Sequence, residues 1–454
     1  MNDWLDGEER IERAQQYFEA RRWTEALAEL DAAIEIDPAH ASWHVNRGTV
    51  LDQLQRYPEA IEAYKQALEL DPENHEVRSL IGINLARTCR YAEAIEIFEE
   101  LARTAPEYEP AFCHRIAVYA RMGEHEKAEE MFYLAQQVSD ECPHAFGHMA
   151  ESLFDRGDYS RAVYCWSQAL WIDPHYPDAK RRIAEAYRRK GDLESARQYF
   201  LAQFRDTPGN VDLICDMGEL LVQMNKLDAA AAKFDLATEL DPQNIRAHAL
   251  LGRVELARDR FTEASVVLST AVAIDERYVG VCLNLGLALH RQQRYQEAKR
   301  YLQLAIEQMP NDPDAIMAIG NCLVELGRPN EAIPHFERLI ELRPNEAGAR
   351  QNLAVCYFLE ERFGDAIVHC EEALRLDPNC TTAMQKLAIA YVHEHRWADA
   401  RCLVRRALAA EPEQPTMRKL QRRLKWQRYG AIVIRCQAMI RRLAAGRRRQ
   451  AQPA

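Results

Sequence analysis

The chain has 454 residues, 48% of them hydrophobic, and a formal charge of −12. Its first ten residues, MNDWLDGEER, are acidic without an apolar run, and no unbroken apolar stretch approaches bilayer length. Both a secretory leader and a spanning helix are therefore set aside, and a cytoplasmic protein is expected. The twelve cysteines stand singly with no CxxC pair, which suits reduced, buried thiols better than a disulfide framework or a zinc site. Charge is uneven: residues 415–454 carry twelve Lys and Arg and no acid, which leaves −24 on residues 1–414.

After a lead-in of residues 1–6, the sequence repeats every 34 residues from Gly7 to Gln414 without an insertion, in twelve rows. The phrase YPEAIEAYKQALELDPEN (57–74) returns as WTEALAELDAAIEIDPAH (23–40) and FGDAIVHCEEALRLDPNC (363–380). The twentieth column is alanine in every row, from Ala26 to Ala400. The eighth is glycine or alanine in every row but the fourth, where Ile116 stands. The twenty-fourth is usually large, as in Tyr64, Phe98, Trp166, Phe200 and Phe336. The thirty-second is proline in ten rows, with Asp140 and Glu276 in the other two.

Apolar residues recur at three- and four-residue steps within each row, so a row holds amphipathic helices rather than strands. The break between them falls around Gly123, Gly157, Gly191 and Gly327, where a helix end favours a residue tolerant of positive φ. Small residues in columns eight and twenty let two antiparallel helices approach, and the large residue of column twenty-four fills the space beside them. Asp-Pro ends the second helix, because proline lacks a donor and disfavours α geometry in the residue before it. Such a hairpin is too thin to bury its own apolar face, and stacking on its neighbours completes the burial. Local departures are expected at Ile116, which would wedge the fourth hairpin open, and at Glu255, in an inward apolar column of the eighth.

Period, column identities and the Asp-Pro stop resemble the tetratricopeptide repeat across residues 7–414. The resemblance implies an all-α, right-handed superhelical α-solenoid whose concave wall is built from the first helix of each row. It also implies protein or peptide ligands reached by columns two, five, six, nine, twelve and thirteen. Asn321, Asn352 and Lys386 match columns of the carboxylate clamp of some members, but Met317 and Thr382 stand where that clamp has cations. Asn46, Asn284 and Asn352 share column six and are placed to bond a peptide backbone, as a fuller ladder does in glycosyltransferase relatives. In row six Arg181, Arg182, Arg188 and Arg189 fall on wall columns with Glu185. They suit an acidic peptide, unless Glu151, Asp155, Asp212, Asp216 and Glu219 in the flanking rows neutralise them. His114, His148, His144 and Cys113 cluster in rows four and five without a metalloprotease-type motif, and neither metal nor cofactor is expected. With no phosphate loop and no nucleophile elbow, an enzyme is not expected either.

Past the last row, Met417, Leu420 and Leu424 suit a capping helix at 415–429. A basic amphipathic tail, 430–454, is expected beyond it. Arg428, Arg435, Arg442 and Arg449 recur at sevens, with Arg441, Arg447 and Arg448 beside them. CQAMIRRLAAGRRR (436–449) resembles the IQ motif bound by calmodulin-like proteins, with Cys436 and Arg442 departing from its usual Ile and Gly. The expected function is a non-catalytic scaffold or adaptor. The alternative is a tail that binds an acidic protein, nucleic acid or an anionic membrane surface, with the repeats as spacer.

Overall fold

The structure, a computed structural model, describes residues 2–139 and 141–426, with side chains from Asp6 onward. Arg428, Arg435, Arg441, Arg442, Arg447, Arg448 and Arg449 lie outside the described residues. All regular structure among the described residues is helical. The chain divides into two units, Met1–Met224 and Asn225–Ala454.

The first unit holds six hairpins and one further helix. They are α1 (Asn2–Glu19) with α2 (Trp23–Ile36), α3 (Ala41–Gln53) with α4 (Tyr57–Leu70), and α5 (His75–Arg87) with α6 (Tyr91–Thr104). Then come α7 (Pro110–Arg121) with α8 (His125–Val138), α9 (Pro143–Asp155) with α10 (Tyr159–Ile172), α11 (Ala179–Lys190) with α12 (Leu193–Asp206), and finally α13 (Val211–Gln223). Residues 2–6, ahead of the first repeat row, are already part of α1.

The second unit opens with α14 (Leu227–Leu240) and continues with five hairpins. They are α15 (Ile245–Ala257) with α16 (Phe261–Ile274), α17 (Val281–Arg291) with α18 (Tyr295–Gln308), and α19 (Pro313–Glu325) with α20 (Pro329–Leu342). The last two are α21 (Ala347–Leu359) with α22 (Phe363–Leu376) and α23 (Thr381–His393) with α24 (Trp397–Ala410). Residues 415–426 are helical too, and Met417, Leu420 and Leu424 are buried against the core of the last two hairpins.

Each hairpin closes on the same contact. All twelve alanines of column twenty are 0% exposed, so that column leaves no room for a larger side chain. A Cβ on Gly48 would fall 2.5 Å from the Tyr64 ring, and one on Gly82 or Gly320 would fall 2.6 Å from Phe98 or Phe336. The missing methylene of column eight is thus occupied by the ring of column twenty-four, at interior packing density. Ile116, where that column is not small, is fully buried, and Phe132 of the same hairpin stands edge-on to Phe146, ring centres 5.3 Å apart.

The turn inside the hairpin is set by backbone rather than by residue type. Gly123, Gly157, Gly191 and Gly327 have φ between 70° and 88°, as expected. The same column takes a left-handed conformation in the other eight rows, at Arg21, Gln55, Cys89, Asn225, Asp259, Gln293, Glu361 and His395. The recurring reason is a six-residue closure: the N–H of Arg56 reaches the carbonyl of Leu51 at 2.9 Å, as Asp158 reaches Leu153 at 2.9 Å. That closure satisfies a carbonyl at the helix end and requires positive φ at the residue before the donor.

The stop after the second helix uses both residues of the Asp-Pro pair. Besides the proline, the aspartate side chain accepts the N–H two residues on, from Ala39 to Asp37 at 3.1 Å, His175 to Asp173 at 2.9 Å and Asn379 to Asp377 at 3.0 Å. The next helix is then capped from column thirty-four, where Asn74, Asn210 and Asn244 accept the N–H of Val77, Leu213 and Ala247 at 3.0–3.1 Å. In row four that capping position belongs to Cys142, whose sulfur accepts the N–H of Ala145 at 3.2 Å.

Glu255 sits in the core at 5% exposure and pairs with Arg258, which also reaches Asp228 at 2.6 Å. A polar group in an apolar column is thereby retained by an ion pair. Cysteine burial departs from expectation at three places: Cys89 and Cys402 are exposed and Cys380 is half-buried, while the other described cysteines are buried. Their columns face outward or lie in turns, so the hairpin geometry overrides the residue's preference for burial.

Candidate interaction surface

First helices of successive hairpins meet, α5 with α7 and α7 with α9 in the first unit, and α15 through α23 in turn in the second. Their columns that face neither the hairpin partner nor the neighbouring hairpin remain at the surface. In the first unit Asn46 on α3 is exposed at the mouth of a cavity of about 350 Å³. Ile11, Gln15 and Phe18 of α1 and Thr49 and Val50 of α3 line it, with Leu30 behind. Sequence reasoning picked out Asn46 but not Ile11 and Phe18, because an apolar residue on an amphipathic helix reads as core wherever it falls. The cavity pairs an apolar floor with a free amide at its edge, the combination that small binding sites use.

A second cavity of about 240 Å³ lies further along the same unit, lined by Ile83, Arg87, Phe98, His114, Arg121 and His148 among others. The His114 and His148 rings are 6.0 Å apart, centre to centre, and His114 stands 5.5 Å from the Phe98 ring. Burial, then the His144 imidazole and Arg87, pushes His114 down to about 4. Burial, with the same kind of neighbours, pushes His148 down to about 3. Both are neutral near neutral pH. Arg87 is tied to Asp52, whereas Arg121 makes no ion pair among the described residues.

The four arginines of row six are tied up. Arg181 meets Asp216 at 2.6 Å, Arg182 meets Glu151 at 3.1 Å, Arg188 meets Glu185 at 2.5 Å, and Arg189 meets Glu185 at 2.8 Å. Burial works against ionisation of Glu185, but its bonds to Arg188 and Arg189 prevail and hold it below the ordinary carboxylate range. This is a cross-paired face in which each cation has an acid within reach.

In the second unit Asn321 on α19 and Asn352 on α21 meet directly. The Asn352 Nδ2 donates to Asn321 Oδ1 at 2.8 Å and also lies 3.4 Å from the Met317 sulfur. Lys386 on α23 holds its ammonium 4.7 Å from the centre of the Phe358 ring. The three residues that match the clamp thus lie on consecutive first helices, with Met317 completing an amide pair rather than supplying a cation. Asn284 on α17 is half-buried.

The cluster expected in rows four and five divides in two. His114 and His148 line the wall, and His144 is exposed, 5.5 Å from the Tyr176 ring. Cys113 belongs to a different group: its sulfur is 3.1 Å from that of Cys142, which the sequence alone did not single out.

A stack of equal helical hairpins with a polar-edged apolar wall defines a helical repeat protein. Profiles described as tetratricopeptide repeat match residues 11–75, 46–109, 149–210, 221–280, 278–345, 317–380 and 357–424. The chain belongs to the tetratricopeptide repeat family, and its fold is an α-solenoid of such repeats. It is similar to a structure from the APC/C hetero-tetramer Cut9–Hcn1, with 16% identity, a TM-score of 0.43, and coverage of 90% of this chain and 95% of that one. It is also similar to YrrB, described as a TPR protein with an unusual peptide-binding site, at 26% identity and a TM-score of 0.38, covering 41% of this chain and 95% of that one. The yeast Tom70 shares 16% identity with a TM-score of 0.35, covering 93% of this chain and 96% of that one. No curated protein matches the chain. No described helix is long and apolar enough to cross a membrane.

Proposed function

We propose that this protein is a non-catalytic scaffold that holds peptide or protein partners against the wall of its first helices. The observation that carries this is the cavity beside Asn46, an apolar floor of Ile11, Phe18 and Val50 with an amide at its rim. An extended segment placed there loses apolar side chains from water and keeps a backbone partner. The wall is already formed, so little ordering cost falls on the protein. Membership of a family of interaction modules and the absence of a recognised catalytic motif support the same reading. In the second unit Asn284, Asn321, Asn352 and Lys386 would offer contacts of their own. Arg181, Arg182, Arg188 and Arg189 would join it only by exchanging their present acids for a partner's.

The test is capture by the full chain beside two variants. Phe18→Ala with Asn46→Ala alters the wall, and Tyr164→Ala with Trp171→Ala alters exposed aromatics of α10. The wall variant is expected to weaken binding by about thirtyfold or more, since each of its two truncations costs roughly 1–2 kcal/mol. Partners that survive it and vanish with the α10 variant would refute the assignment.

A second reading rests on composition: residues 415–454 carry +12 against −24 elsewhere. We propose that 415–429 covers the last hairpin, in keeping with the burial of Met417, Leu420 and Leu424. The basic segment 430–454 would then add a salt-sensitive contact to an acidic protein, nucleic acid or anionic lipid. Removing 430–454 is expected to leave the helical fold of the repeats intact and to flatten the salt dependence of association. Unchanged salt dependence would leave the tail without this role.

A further inference from the structure

Two thiols and a carboxylate converge at the start of hairpins four and five. The ligand atoms of Glu109, Cys113 and Cys142 all lie within 4.8 Å of one another. Cys113 and Cys142 are each 1% exposed, and the Cys113 sulfur is 3.7 Å from Glu109 Oε1 and 3.1 Å from the Cys142 sulfur. Glu109 makes no ion pair among the described residues, whereas the nearby Arg115, Arg156 and Arg161 each have an acid. Glu109 is half-buried and its carboxylate accepts from the Cys113 thiol, so all three ligand atoms face one point.

We propose that Glu109, Cys113 and Cys142 form a binding site for a divalent d10 metal ion, zinc by class, that staples α7 to the N-terminus of α9. The donor set is two soft sulfurs and one oxygen, the mixture that tetrahedral zinc accepts. Metal–sulfur bonds of about 2.3 Å place two sulfurs roughly 3.8 Å apart and a sulfur and a carboxylate oxygen roughly 3.6 Å apart. The observed sulfur–oxygen distance of 3.7 Å already fits, and the sulfurs need only open by about 0.7 Å. A disulfide would need them to close by about 1.1 Å and would leave Glu109 without a role.

Cys142 already offers its sulfur as an acceptor. It is the N-cap of α9, in the column where other rows carry asparagine, and it accepts the Ala145 N–H at 3.2 Å. On binding, the ion takes the place of two thiol protons, which pass to solvent. Two thiolates and the carboxylate hold it, and one coordination position stays open for water.

The experiment uses the full chain, reduced and stripped with a chelator, then titrated with cobalt(II) alone and afterwards with zinc(II). One equivalent of cobalt is expected to produce a thiolate-to-cobalt charge-transfer band that zinc bleaches. Cys113→Ser and Cys142→Ser each abolish the band, while Glu109→Gln keeps it and weakens binding by about tenfold or more. Cys89→Ser and Cys402→Ser, at exposed thiols, leave it unchanged. A wild-type chain that shows no such band overturns the site whatever the variants do. So does a band that persists in Cys142→Ser with helix content intact, or a Cys113–Cys142 disulfide that forms under peroxide equally fast with and without zinc.

Discussion

Replacing Gln55 with glycine should stabilise the first unit, although the substitution removes a side chain and adds no contact. Gln55 has a φ of 58°, is exposed, and makes no side-chain hydrogen bond among the described residues. An L-residue in the left-handed region costs about 1–2 kcal/mol, and glycine returns about 0.5–1 kcal/mol of that as extra freedom of the unfolded chain. The net gain is about 0.5–1 kcal/mol, because both backbone bonds of the turn, Gln55 to Asp52 and Arg56 to Leu51, survive. The converse change, Gly157→Ala, should destabilise by about 1 kcal/mol. A Cβ there meets nothing within 4 Å, so the penalty is one of backbone alone. Urea unfolding followed by helical circular dichroism reads both, and for a unit of this size each kcal/mol moves the thermal midpoint by roughly 2–4 °C. If Gln55→Gly lowers stability, or Gly157→Ala raises it, the left-handed turn is not the source of strain assigned to it.

Gly320→Val should cost about 2–3 kcal/mol, because its Cβ would fall 2.6 Å from the buried Phe336 ring; an unchanged denaturant midpoint would contradict the packing described. Glu255→Ala should cost about 1–3 kcal/mol by leaving Arg258, which is 13% exposed, only Asp228 for a partner among the described residues, whereas Glu255→Leu with Arg258→Met should restore most of it in a double-mutant cycle. Stability should also fall with acid through His114 and His148, held at about 4 and about 3. Above about pH 6.5 both are neutral in folded and unfolded chains alike, so their contribution is complete. Below it the unfolded chain takes up protons that the folded one refuses, and the contribution is lost as pH falls toward the folded values, at up to about 1.4 kcal/mol per pH unit per histidine. His114→Gln with His148→Gln should flatten that slope in pH-dependent unfolding; an unaltered slope would place the sensitivity elsewhere.

Most of the fold is legible in the chain because each hairpin is built from contacts inside 34 residues. The alanine column, the small-against-large pairing of columns eight and twenty-four, and the Asp-Pro stop all have spacing that survives without coordinates. The left-handed turn was legible only where glycine marked it. At Gln55, Glu361 or His395 the residue type carries no signal, because the six-residue closure imposes the conformation and the side chain merely tolerates it. The arginines of row six were visible as a charge run. Whether Arg181 meets Asp216 or solvent depends on the placement of the next first helix, 35 residues on. The approach of Cys113 to Cys142 had no motif to announce it, since the two stand 29 residues apart on elements joined only by stacking.

By itself, then, the sequence determined the helical hairpin, its length, its internal packing and the number of times it recurs, because those follow from local periodicity and the sizes of side chains a few turns apart. Only the tertiary structure decided which surface groups face one another across successive hairpins: the asparagine pair of 321 and 352, the paired arginines of α11, the apolar floor beside Asn46 and the thiol–carboxylate cluster of α7 and α9. Those contacts are set by the rotation and rise from one hairpin to the next. That geometry is the sum of many small packing choices, and no single column of the repeat encodes it.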